Sequence, residues 1–140
     1  MEKLSKFIIE RLKLSKNDKP QEYNYHPKTK DELQKLVDKL IIERGNDADL
    51  NDIDTSKITN MSFLFDSSKF NGDISKWNVC NVKDMTCMFY DSDFNGDISN
   101  WDVSNVETMK YMFDDSPLKK IHLNGIKINK RNLLKFLFIV

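Results

Sequence analysis

Very little in this sequence is equipped for acid–base chemistry near neutral pH. Histidine occurs only twice, at His26 and His122, and it is the side chain whose ordinary pKa lies nearest that range. Neither histidine stands in a Ser-His-Asp, Cys-His or metal-ligand context: His26 lies in a Tyr-rich connector and His122 in the C-terminal cap region. No glycine-rich phosphate loop is present among the 4 glycines. The expectation is a non-enzymatic chain with no catalytic residue and no cofactor. Cysteine is also scarce. Cys80 and Cys87 form no CxxC pair and read as free buried thiols. Long apolar runs are missing too: LLKFLFIV at 133–140 is far shorter than the ~20 residues a membrane-spanning helix needs. MEKLSKFIIERLKL breaks its apolar residues with charge, so no secretory h-region is visible. A soluble, cytoplasmic protein with no membrane span is expected.

Net charge is absent as well, since 22 basic and 22 acidic residues cancel, but the signs are segregated. Residues 1–44 hold 11 basic and 8 acidic side chains, residues 45–118 hold 5 and 14, and residues 119–140 hold 6 and none. An acidic centre between basic ends argues against nucleic acid binding on the central body.

What the sequence does have is a repeat. Offset by 24 residues, KFNGDISKWNVCNVKDMTCMF at 69–89 overlays DFNGDISNWDVSNVETMKYMF at 93–113. An earlier copy continues the columns through Leu50, Ile53, Ile58, Met61, Leu64 and Phe65, and Leu118 closes the Phe70/Phe94 column. The repeat bears on a second motif. DSDFNGDISNWD at 91–102 aligns with an EF-hand loop: Asp91, Asp93 and Asn95 fall at ligand positions one, three and five, Gly96 at the turn and Asp102 at position twelve. The alternative calcium set is therefore Asp91, Asp93, Asn95, Asp97 and Asp102. One copy earlier the same register holds Ser67, Lys69 and Asn78, and an ammonium cannot ligate a cation. The shared FNGDIS core thus points to a structural turn, in which Gly72 and Gly96 permit a tight bend or positive φ and Asn and Asp bond local amides.

Within each copy, Ile74 with Trp77 and Ile98 with Trp101 flank a short strand expected near 73–77 and 97–101, with another near 49–53. Val82, Met85, Met88 and Phe89 follow at i, i+3, i+6, i+7, one face of a short helix. The same spacing recurs in Ile58, Met61, Leu64, Phe65 and in Val106, Met109, Met112, Phe113, so short helices are expected near 59–66, 83–90 and 107–114. The predicted fold is an α/β, leucine-rich-repeat-like solenoid of 24-residue strand-plus-short-helix coils. A helical N-terminal cap region occupies residues 1–48, the repeats 49–118 and a C-terminal cap 119–140. Thr29 and Glu32 form a capping box, Leu33, Leu36, Val37, Leu40 and Ile41 an apolar stripe, and Gly45 a stop. Residues 1–14 read as another amphipathic helix and 15–28 as a polar connector.

FNGDISKWNVCNVKDMTCMFYDSDFNGDISNWDVSNVETMKYMF resembles the BspA-type leucine-rich repeats of bacterial surface proteins and mycoplasma lipoproteins, over about residues 49–118. The resemblance implies a repeat domain that binds other macromolecules, and short relatives of this kind are expected from bacteria or their phages. Positions that vary in a fixed register are free for recognition, and two such columns stand out: Phe63, Cys87, Tyr111 and Asp66, Tyr90, Asp114. The expected function is a protein–protein interaction module with Phe63, Asp66, Tyr90, Tyr111 and Asp114 on the partner-binding face. The partner is an unidentified protein carrying basic residues, and self-association through the apolar C-terminus is a further expectation. The alternatives are the calcium-binding structural domain and an acidic phage-type antagonist of a host nucleic-acid-binding or defence protein.

Overall fold

The computed structural model describes residues 20–122. The capping box and glycine stop bound the first helix, α1, Lys30–Arg44. Thr29 Oγ1 accepts the Glu32 N–H at 3.2 Å, and the Glu32 carboxylate accepts the Lys28 N–H at 2.7 Å. The Glu32 amide, one of the helix's orphan donors, is satisfied in this way, and the carboxylate anchors the approaching chain. At the other end Gly45, with φ 93, donates to the Ile41 carbonyl, a left-handed stop that favours glycine. Leu33, Val37 and Leu40 are fully buried. Gln34 Nε2 reaches the Leu64 carbonyl at 3.2 Å, so the helix lies beside the first repeat copy.

Successive copies lie on one another in the register read from the sequence. Parallel bridges join Asp49 to Asp73, Asn60 to Asp84 and Asp84 to Thr108. The amides of Met61, Phe63, Phe65 and Ser67 donate to the carbonyls of Asp84, Thr86, Met88 and Tyr90 at 2.8–2.9 Å, and Met85, Cys87, Phe89 and Asp91 donate likewise to Thr108, Lys110, Met112 and Asp114 at 2.9 Å. Inside, Phe65 and Phe89 stack at 5.6 Å and Phe89 and Phe113 at 6.1 Å. Phe70 and Phe94 stack at 6.1 Å, nested against Phe65 at 4.9 Å and Phe89 at 4.5 Å respectively. Trp77 and Trp101 are buried with their indole N–H groups donating to the Leu50 and Ile74 carbonyls, as a buried indole requires. Leu118 fills the Phe70/Phe94 column at 2% exposure and lies in α2, Pro117–His122.

The expected strand-plus-helix coil is overturned. Among the described residues there is no β-strand, and the only helices are α1 and α2; the strands expected near 49–53, 73–77 and 97–101 and the helices near 59–66, 83–90 and 107–114 do not form. Each copy is instead a succession of tight turns. Ile53, Ile58, Leu64, Asp66 and Ser68 each donate to the carbonyl three residues back, and Trp77, Val82, Met88 and Tyr90 repeat this in the next copy. Asx bonds bend the chain further: the Asp49, Asp73 and Asp97 carboxylates accept the amides of Asn51, Ser75 and Ser99 at 2.8–2.9 Å. A strand cannot run past such a bend, so pairing shrinks to single bridges. A helix cannot form where alternate amides already donate to the next copy.

The glycines also differ from expectation. Gly72 and Gly96 have no positive φ; a Cβ at Gly72 would collide with the Ala48 carbonyl oxygen, and one at Gly96 would meet the Phe94 ring at 2.6 Å. Close approach is what excludes a side chain there. The described part of the connector expected at 15–28 pairs with the first copy: Tyr25 bridges Ile53, and the Asp54 amide donates to the Tyr25 carbonyl at 2.8 Å. The segment covers a backbone edge that would otherwise be open. The helix expected at 1–14 and the tail beyond 122 lie outside the described residues.

Candidate partner-binding face

The turns decide which side chains face outward. In Met61–Leu64, Met85–Met88 and Met109–Met112, each closed by a bond three residues back at 3.1–3.3 Å, the third residue has positive φ: Phe63 at 60, Cys87 at 53 and Tyr111 at 57. A left-handed third position is what a type II turn demands, and glycine or asparagine ordinarily fills it. Here bulky residues do, at about 1–2 kcal/mol each. Their neighbours Met61, Leu64, Met85, Met88, Met109 and Met112 are buried, so the left-handed residue is the one turned out. Phe63 is 50% and Tyr111 59% exposed, with Tyr90 beside them at 38%, and Cys87 is half-buried between.

Asp66 and Asp114 occupy the column that Tyr90 shares. Asp66 accepts the Ser67 hydroxyl at 3.1 Å, and Asp114 holds Lys119 Nζ at 2.8 Å. All five residues singled out from the sequence thus share one face with Cys87. Two contributors were not singled out. Lys30, from α1, places Nζ 5.7 Å from the Phe63 ring centroid and donates to Ser62 Oγ at 2.9 Å; nothing in the sequence signals a contact across that separation. Cys87 stood in the column but was not assigned to the site. Burial pushes its thiol pKa up, and Asp66, Asp114 and Asp84 add to the rise.

The calcium alternative has another geometry. The Asp97 and Asp102 carboxylates accept the amides of Ser99 and Ser104 at 2.9 and 3.0 Å, and the bond from Ser99 holds the Asp97 carboxyl below the ordinary carboxylate range. Asn95 donates its amide to Asn71 Oδ1, Asp93 lies 3.9 Å from Lys69 Nζ, and the Asp91 amide donates to the Asp114 carbonyl. Among the described residues no group of three or more His, Cys, Asp or Glu side chains is placed to hold a metal ion. Nor is any described helix long and apolar enough to cross a membrane.

Stacked turn-built repeats presenting an outward aromatic column define the class of this protein. The chain belongs to the family described as "Mycoplasma protein of unknown function, DUF285", whose model matches residues 32–138. No curated protein and no solved structure matches it.

Proposed function

We propose that this chain is a non-enzymatic protein-binding module, with repeats related to the BspA type, and that Phe63, Asp66, Tyr90, Tyr111 and Asp114 form its partner-binding face. One observation carries the reading: large aromatic side chains stand outward from backbone positions that disfavour any side chain. Phe63 and Tyr111 stay at least half exposed, so burial offsets only part of the torsional cost, and residues held in sparsely populated conformations cluster at functional sites. Exposed aromatics flanked by acids are the material of interface hot spots.

The test is affinity capture from the native host, with bound proteins identified by mass spectrometry. Replacing Tyr90 and Tyr111 together by serine is expected to abolish the specific partner while leaving the circular dichroism and melting temperature nearly unchanged. Capture that persists in the folded variant places the interface elsewhere and refutes this face.

A further inference from the structure

Cys87 is the small member of its column. The register puts it one coil from Phe63 and one from Tyr111, because the Phe63 amide bonds Thr86 and the Cys87 amide bonds Lys110. All three have the same left-handed backbone, so their side chains leave the surface in the same sense. Coils bonded in this way lie about 4.8 Å apart, which sets Phe63 and Tyr111 roughly 10 Å from one another at the backbone. A group seated midway, over the thiol, is then about 5 Å along the stack from the backbone of each column neighbour, a spacing that brings a cation within reach of an aromatic face on either side. Asp66, Asp114 and Asp84 lie near enough to act on the thiol itself, after burial, by their charge, with Asp114 also holding Lys119 Nζ at 2.8 Å. The fold already shows such an occupant one step away: Lys30 sits over Phe63, with its ammonium donating to Ser62. Thr86 takes the Ser62 position beside Cys87 and is half-buried with its hydroxyl 3.3 Å from Thr108 Oγ1.

We propose that the notch over Cys87, walled by Phe63 and Tyr111 and ringed by Asp66, Asp84 and Asp114, seats one cationic side chain, a lysine or arginine, of a partner protein. The proposal rests on the partner-binding face described above and names the chemistry that face recognises. A neutral or acidic segment would lose the attraction of both the rings and the carboxylates, so charge is the discriminating property.

The thiol at the floor of the notch makes the proposal directly readable. In a Cys80→Ser chain, Cys87 is treated with methanethiosulfonate reagents carrying either a trimethylammonium or a sulfonate group, and each rate is divided by the rate of the same reagent with mercaptoethanol. The cationic reagent is expected to be favoured by about threefold to tenfold. Asp66→Asn with Asp114→Asn, and separately Phe63→Ser with Tyr111→Ser, should each bring the ratio toward one. In the unaltered chain, a capped pentapeptide with a central arginine should slow modification of Cys87 by neutral methyl methanethiosulfonate, with Cys80 as the internal control. Its citrulline counterpart should not. A normalised ratio near one, or equal protection by citrulline, overturns the proposal. If that happens while the Tyr90/Tyr111 serine variant still loses its captured partner, the face binds protein but not through a cation. If the charge preference stands while capture is undisturbed, the cation seat holds and the broader face is refuted.

Discussion

A methyl group placed on Gly72 would run into the Ala48 carbonyl of the preceding coil and the edge of the Phe70 ring. A backbone carbonyl held in the stack cannot yield as a side chain can. Gly72→Ala is therefore expected to cost about 1–3 kcal/mol in denaturant unfolding, as overpacked sites do. Gly96→Ala should cost less, because its added carbon meets the Phe94 ring first and the Gly72 carbonyl only at 3.2 Å. The reverse order would show that the stack yields more readily than the ring. Phe89 presents the opposite case, a ring with neighbours on every side: Phe65 at 5.6 Å, Phe94 at 4.5 Å, Phe113 at 6.1 Å and Trp101 at 6.2 Å. Phe89→Ala leaves a cavity that none of these can fill without unstacking another, and a loss of about 3–5 kcal/mol is expected. A loss below roughly 1 kcal/mol would place Phe89 outside the set that determines stability.

At the scale of the element, the turn explains both what the sequence revealed and what it concealed. The 24-residue register was legible because the same buried positions recur, and the structure buries Met61, Met85 and Met109 alike. The elements were not legible, for a geometric reason. Apolar residues at i, i+3, i+6 and i+7 mark one face of a helix, but a run of turns closed three residues apart also brings such positions to one side. The left-handed residues were hidden because Phe63, Cys87, Tyr111, Ser67, Asp91 and Asp115 are not the glycines by which such turns are recognised. Variation in register pointed to Phe63, Tyr90 and Tyr111, which are exposed, and Lys30 on Phe63 lies beyond any local signal. The strain itself is testable. Asparagine tolerates the left-handed region better than tyrosine, so Tyr111→Asn should leave the unfolding free energy unchanged or raise it by up to about 1 kcal/mol, while weakening partner capture. Destabilisation by more than that would mean that the Tyr111 ring packs into the fold despite its exposure.

The whole molecule depends on its acids for shape as well as for charge. Asp52, Asp54, Asp73 and Asp97 all have carboxyls held below the ordinary carboxylate range, first by hydrogen bonds from Arg44, Ser56, Ser75 and Ser99 respectively. A carboxyl whose pKa is lowered on folding adds stability above its unfolded value and loses it as the pH drops through its folded value. The contribution of these four is therefore complete above about pH 5 and declines below about pH 4. The melting temperature should fall over that acid range, and Asp52→Asn should lower the neutral value while flattening the fall. A melting temperature that rises below pH 4 would contradict this account. The ladder between coils has one more consequence. In the middle copy the amides of Met85, Cys87, Phe89 and Asp91 donate to the following coil, while the carbonyls of the same peptide groups, those of Asp84, Thr86, Met88 and Tyr90, accept from the coil before. These four peptide groups point the same way along the stack, whereas the amides of Lys83 and Glu107 donate back to the preceding coil, to Thr59 and Lys83. On the first copy the Leu64 carbonyl, which stands in the Met88 column, accepts from Gln34 of α1 instead. In this stretch the middle coil therefore presents oxygens to the coil before it and amides to the coil after, so a copy inserted between two others pairs there only with its amides turned toward the following coil.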